Sequence, residues 1–313
     1  MSPRPTVSHS PIADPDVPPG MSIELLKDLH LLTRDGQLNA DARRKLKQIR
    51  HFMGLLKPAL DDALGRHSAP RIVDCGAGKS YLGFLLYELV IGPAGRGEII
   101  SVESRPELAE AAAERARRFG HQRLRFLSDD VSRAMDHPAI AEGPVQVVTA
   151  LHACDTATDE AIALGILRGA DHIAVVPCCQ AEVARQLAEV GPLDAGDAAL
   201  VDHPLHRRDF GSHLTNVVRA LCLEAHGYKT TVTELVGWEH SVKNEFILGR
   251  RTRRFDAAAR ATLDGLLARW RISPALVLRL RGQTERPSAA ASSSSPADTS
   301  IATSTAPAVT ENR

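Results

Sequence analysis

Apolar residues recur along this chain in two rhythms, and the change from one to the other divides it. Leu46, Ile49, Met53, Leu56, Leu60 and Leu64 are spaced by three or four, which places them on one face of a long helix that begins near Asn39 or Asp41. From residue 70 to 182, short continuous apolar runs alternate with helical periods. The runs at 71–75, 98–102, 123–127, 145–151 and 172–176 read as strands, with helices near 80–91, 105–119, 156–168 and 179–190. Continuous apolar runs suit strands covered on both faces, the condition of a parallel sheet flanked by crossover helices. A helix at 212–225 then precedes two more strand runs, 228–236 and 245–249, joined by the loop 237–243. So short a link requires an antiparallel pair. The expected fold is α/β: a doubly wound, Rossmann-like sheet of seven strands, five parallel plus a late antiparallel hairpin, behind an N-terminal helical prelude.

Composition sets the limits of this domain. Six prolines in the first 20 residues, and a Ser-, Ala-, Thr- and Pro-rich stretch from 283 to 313, read as disordered ends. Between them the expected parts are a helical prelude at 21–69, the α/β domain at 70–252 and a basic helical segment at 253–282. That last segment belongs to a stretch with nine arginines against two acids between Arg250 and Arg281, and Arg43, Lys47, Arg50 and Lys57 share a second face of the prelude helix. Formal net charge is zero, so any nucleic-acid surface must be a local patch such as these. Five cysteines in no secreted-scaffold spacing point to a reducing, cytoplasmic setting, and no apolar run approaches a membrane span.

In an open α/β sheet, ligands bind beyond the carboxyl ends of the strands. The first strand ends Asp74-Cys-Gly-Ala-Gly78, followed by Lys79, and the second closes on Glu103. Glycines in that turn let the backbone approach a nucleotide-like ligand, and an acid on the second strand accepts from ribose hydroxyls. A dinucleotide fingerprint would need a third glycine at position 81, where Tyr81 stands, with Gly83 two residues late. Asp-x-Gly-x-Gly with one crossover before the acid therefore reads as S-adenosylmethionine binding, through Asp74, Gly76, Gly78 and Glu103. The third strand ends at Asp129 and Asp130, which could accept from an adenine amino group or cap the next helix. His152 and Asp155 follow the fourth strand, Cys178 the fifth, and Lys243 and Asn244 lie in the loop 237–244. These line the expected acceptor site, with Asp155 and His152 as base or orienting groups for an in-line methyl transfer.

The sulfur residues leave two alternatives open. His152, Cys154, Cys178 and Cys179 have zinc-ligand chemistry, although adjacent cysteines chelate poorly and no Cys-x-x-Cys occurs, so no metal is expected. One cysteine at each of two strand tips also matches the chemistry of RNA cytosine C5-methyltransferases, in which a thiolate adds to the ring.

The blocks Asp74-Cys-Gly-Ala-Gly-Lys-Ser-Tyr-Leu82, Leu151-His-Ala-Cys-Asp-Thr-Ala-Thr-Asp159, Pro177-Cys-Cys-Gln180 and His240-Ser-Val-Lys-Asn244, with the basic prelude Lys45-Leu-Lys-Gln-Ile-Arg-His-Phe52, together resemble one family. It is a class I methyltransferase family that includes tRNA 2′-O-methyltransferases of the Trm13 type and related eukaryotic proteins. The likeness spans about residues 40–252. It departs at Gln180, where the tRNA enzymes carry His, and in lacking a Cys/His zinc module ahead of the domain. The resemblance implies the fold and S-adenosylmethionine as cofactor more firmly than a tRNA ribose as acceptor. The expected function is an S-adenosylmethionine-dependent methyltransferase acting on RNA, either tRNA or rRNA. The alternatives are a protein or small-molecule acceptor, or a non-catalytic RNA- or protein-binding adaptor; no membrane partner is expected.

Overall fold

A computed structural model describes residues 16–153, 156–178, 180–190, 194–235, 245–252 and 255–284. In chain order the elements are α1 (Ile23–Asp28), α2 (Ala40–Arg66), β1 (Arg71–Cys75), α3 (Tyr81–Leu86), a π-helical turn (Tyr87–Ile91) and α4 (Gly92–Ala94). Then come β2 (Glu98–Glu103), α5 (Pro106–Arg118), β3 (Leu124–Ser128), α6 (Val131–Ala134), α7 (Pro138–Ala141), β4 (Val147–Leu151), α8 (Thr156–Leu167) and β5 (His172–Val176). The chain continues with α9 (Glu182–Glu189), α10 (Ala195–Val201), α11 (Pro204–Ala225), β6 (Tyr228–Glu234), β7 (Glu245–Arg251), α12 (Ala257–Trp270) and α13 (Ala275–Thr284).

The seven strands form one sheet in the order β3-β2-β1-β4-β5-β7-β6. All pairings among β1 to β5 are parallel, whereas β7 runs antiparallel to both β5 and β6. The late pair is the expected antiparallel hairpin at the rim of the sheet, docked through its second strand. β6 takes the edge, running with the first five strands, and β7 inserts beside β5. Side chains alternate between two apolar layers, as the pleat requires. Val73, Ile100, Val148 and Ile173 face α8, α11, α12 and α13; Ile72, Ile99, Val147 and Ala174 face α2 and α3.

Asn39 caps α2 by accepting from the Ala42 amide at 2.8 Å, which starts the helix where the sequence signals it. Its buried face is Leu46, Ile49, Phe52, Leu56, Ala59, Leu60 and Ala63, while Met53 and Leu64 are only half-buried. Phe52 meets Phe246 of β7 edge-on, with ring centroids 5.6 Å apart, so the prelude grips the last strand of the sheet. Each large apolar side chain buried here contributes about 1.5–3 kcal/mol.

Three expectations change. The helix expected at 212–225 begins at Pro204, whose fixed φ suits a first helical position, and α10, capped by Asp194, precedes it. The C-terminal helical segment is two helices, because Arg271 turns left-handed (φ 51°) and Pro274 has no amide hydrogen to continue a ladder. Its arginine excess is largely met from within: Arg260 and Arg281 bind Asp264, Arg269 binds Asp197 and Arg279 binds Glu160. On α2, Arg43 and Arg50 pair with Asp16, and Lys57 with Asp61.

Candidate functional site

Between β1 and β4 the order of strand addition reverses, opening a crevice at their carboxyl ends. The turn leaving β1 carries three left-handed residues: Gly76 (φ 67°), Gly78 (φ 57°) and Ser80 (φ 57°). The Ala77 amide donates to the Val102 carbonyl at 3.0 Å, tying the turn to β2. A Cβ on Gly76 would stand 3.1 Å from the Ala153 Cβ, so the first glycine also allows the β4 end to come close.

Glu103 locks this turn from the neighbouring strand. One carboxylate oxygen accepts from the Gly78 amide at 2.6 Å; the other accepts from the Arg105 amide at 3.1 Å and its Nε at 2.7 Å. Burial pushes the carboxyl up, but these bonds and the Arg105 charge outweigh it and hold Glu103 below the usual carboxylate range. It is an ionised acceptor at the tip of β2, with lone pairs left for a diol.

Asp74 is its opposite. Only 2 % exposed, it accepts from the Thr149 hydroxyl of β4 at 2.9 Å through Oδ1, while Oδ2 is buried without a hydrogen-bond partner. Burial pushes its carboxyl up to about 7, against the lowering effect of Thr149. An orphaned buried carboxylate oxygen beside a glycine cradle is a receptor for a cationic or N–H donor.

At the tip of β3, Asp129 Oδ1 accepts from Arg133 Nε at 2.6 Å and from the Asp130 amide at 2.9 Å. The Arg133 hydrogen bond holds its carboxyl below the usual range. Asp130 sits at the N-cap position of α6 without a side-chain cap bond, and pairs with Arg133 at 3.0 Å.

The β4 and β5 tips meet. His152 is left-handed (φ 59°) and its amide donates to the Val176 carbonyl at 3.0 Å. The Cys178 thiol donates to the His152 carbonyl at 3.5 Å. Burial lowers the His152 pKa, so the imidazole is neutral at physiological pH and able to accept a proton. The other expected acceptor-site residues (Asp155, Lys243 and Asn244), together with Cys154 and Cys179, lie outside the described residues. Cys75 and Cys222 are buried apolar fillers whose thiols burial pushes up. Among the described residues no three His, Cys, Asp or Glu side chains group to hold a metal ion, and no helix is long and apolar enough to cross a membrane.

Behind the β4 and β5 tips lies a polar network not foreseen from sequence. Arg219 of α11, 1 % exposed, makes a two-pronged pair with Asp159 in the first turn of α8, at 2.7 and 3.0 Å. Its third nitrogen donates to Asn216 Oδ1 at 3.1 Å, and Asn216 Nδ2 donates to Glu245 at 2.8 Å. Gln180 Nε2 reaches Asn216 Oδ1 at 3.4 Å and the Ser212 carbonyl at 3.3 Å. Removing one partner of a buried ion pair such as Arg219–Asp159 costs about 3–5 kcal/mol. The available signal was a polar Asn-x-x-Arg step inside an otherwise apolar helix face.

Residues 44–186 match a family described as a methyltransferase domain. A search of curated proteins finds no match. Solved structures similar to this chain include an rRNA methylase from Streptococcus thermophilus, 12% identical over 64% of this chain and 95% of that one, with a TM-score of 0.39. Another is the pre-rRNA processing protein fibrillarin from Methanococcus jannaschii, 12% identical over 59% and 67%, at 0.38. A third is the precorrin-6y C5,15-methyltransferase from Geobacter metallireducens, 14% identical over 63% and 88%, at 0.36. At such distances these likenesses leave the substrate open.

Proposed function

We propose that this chain is an S-adenosylmethionine-dependent methyltransferase acting on RNA. The observation that carries the cofactor is the coupled pair of acids around the glycine turn. Glu103, ionised and fixed to the Gly78 amide, suits the ribose diol, and the unpartnered Oδ2 of Asp74 suits the amino-acid ammonium. Gly76 and Gly78 leave the backbone open between them, and Asp129 at the next tip suits the adenine amino group. The residues present therefore fit the cofactor. Bound there, it would supply a methyl group on a sulfonium, which an aligned nucleophile takes without further activation.

What remains for the protein is alignment and a destination for the acceptor's proton. His152, held neutral at the β4 tip, is one acceptor for that proton, and Asp155 three residues on is the other. Lys243 and Asn244 are assigned by sequence alone to orienting the acceptor, and Lys243 to steadying a developing oxyanion. RNA as the acceptor rests on the resemblance of the strand-end blocks to tRNA methyltransferases. The intramolecular pairing of the arginines in α12 and α13 favours a second reading, a protein or small-molecule acceptor.

Incubation with methyl-labelled cofactor and separate RNA, protein and metabolite fractions decides between them. Label in the RNA fraction is the expected result. Label confined to protein or metabolites overturns the RNA assignment, and no label in any fraction overturns the enzyme.

A further inference from the structure

A set of polar contacts ties the start of β7 and the β5 end to the first turn of α8, behind the crevice. Starting at β7, its first residue Glu245 accepts from Asn216 Nδ2 at 2.8 Å. Asn216 Oδ1 gathers donors from two directions, Arg219 Nη1 at 3.1 Å and Gln180 Nε2 at 3.4 Å, the latter just beyond the β5 tip. Arg219 passes the connection to Asp159 of α8. One residue earlier, the Thr158 hydroxyl donates to the Ala153 carbonyl at 2.6 Å, and Ala153 abuts Gly76. Asn216 is 4 % exposed and Arg219 1 % exposed. Both are polar groups withdrawn from solvent, which apolar packing alone does not explain.

We infer that Asn216, seated on Arg219, is a positioning residue for methyl transfer: it holds the β4, β5 and β7 ends of the site in one register. This rests on the methyltransferase reading given above. The geometry supports it because Asn216 is the node at which three separate chain segments converge. Its amide both accepts and donates, so its orientation is fixed by Arg219 on one side and Glu245 on the other. A buried network of this kind specifies a single arrangement when every member is satisfied. Transfer to an in-line nucleophile is sensitive to such an arrangement, since a displacement of about 1 Å costs on the order of 100-fold in rate.

The test uses the full chain and avoids deleting either half of the buried ion pair. Asn216→Asp keeps the shape but turns the Nδ2 donor into an acceptor facing the Glu245 carboxylate. Glu245→Gln in the same chain restores the link with its polarity reversed. Asn216→Ser, which removes the reach to Glu245 and Gln180, serves if Asn216→Asp does not fold. Three quantities are read: the midpoint of thermal unfolding, calorimetric affinity for S-adenosylhomocysteine, and steady-state transfer of labelled methyl to whichever fraction the wild type labels. The expected result is a kcat lowered roughly 10- to 100-fold, as a misplaced reacting group would give. Homocysteine-nucleoside affinity should stay within about twofold, and Glu245→Gln should recover most of the rate. Unchanged kcat in Asn216→Asp and Asn216→Ser overturns the inference. So does a loss of affinity and thermal midpoint in step with the rate, which would make Asn216 a plain structural residue. A wild type that labels no fraction overturns the methyltransferase reading itself, and this inference with it.

Discussion

Gly211 of α11 lies directly against the backbone of Ala184 in α9: a Cβ at Gly211 would stand 2.8 Å from the Ala184 N, Cα and Cβ atoms. Backbone cannot rotate away as a side chain can, so the two helices approach this closely only because position 211 is glycine. Gly211→Ala is expected to cost about 1–3 kcal/mol as an overpacked contact, despite the better helix propensity of alanine. Denaturant unfolding measures it; a stabilised variant would show that α9 yields freely.

Glu103→Ala should weaken S-adenosylhomocysteine binding by about 1–3 kcal/mol, the range for hydrogen bonds to a charged group. The variant also frees the Gly78 and Arg105 amides, so the loss includes a looser turn. Calorimetric titration decides it, and affinity equal to wild type removes Glu103 from the binding site.

Asp74 makes both stability and binding depend on pH. Its folded carboxyl stands at about 7, above its unfolded value, so the native state holds the proton more tightly than the unfolded chain does. Stability therefore falls as pH rises from about 4 to about 7 and is level beyond, the full span being on the order of 4 kcal/mol. Asp74→Asn should flatten that slope and be the more stable form at pH 8. An ammonium facing Oδ2 requires the ionised acid, so cofactor affinity should rise with pH up to about 7 in the wild type. Titrations at pH 6 and 8 giving equal affinity would disconnect Asp74 from the ligand.

His152 adopts a left-handed backbone that costs an ordinary residue about 1–2 kcal/mol. Strain of this sort is kept where surrounding contacts impose it, here the Val176 carbonyl and the Cys178 thiol. His152→Gly should be more stable than His152→Ala by about 1 kcal/mol, while both variants lose methyl transfer at least about 100-fold, the lower end expected for a lost proton acceptor. Equal thermal midpoints for the two would mean that the backbone relaxes without help, and full activity in both would pass the proton to Asp155.

The parallel strands are legible because burial on both faces writes them as uninterrupted apolar runs, and the strand-end rule then turns Asp74, Glu103 and His152 into neighbours of one crevice. The glycine motif is legible only in part. Tyr81 occupies the place of a third fingerprint glycine, yet Gly83 meets the same packing need: a Cβ there would stand 2.4 Å from Ser80 Oγ and 2.8 Å from Ser101 Oγ. The helix crosses β2 half a turn later than the motif expects. On α2 a three- and four-residue count from Ile49 to Leu56 passes equally through Phe52 or Met53, and only the packing, which buries Phe52 and leaves Met53 at the margin, decides between them. Asn216 and Arg219 leave only a faint signal, for a different reason. A polar pair three residues apart on a helix reads as solvated surface, and only the tertiary position of Asp159, sixty residues away, makes it interior.

The insertion of β7 between β5 and β6 sets an order of events during synthesis. When residue 234 has left the ribosome, six strands exist, but they cannot close into one sheet. β5 ends the nascent sheet with its outer edge unpaired, and β6 has no partner, because the strand that bridges them has not been made. Both edges stay open to intermolecular pairing until Glu245–Arg251 arrives. A chain stopped short of residue 251 is thus expected to aggregate, not to survive as a smaller domain, and completion of the fold waits on its late C-terminal third.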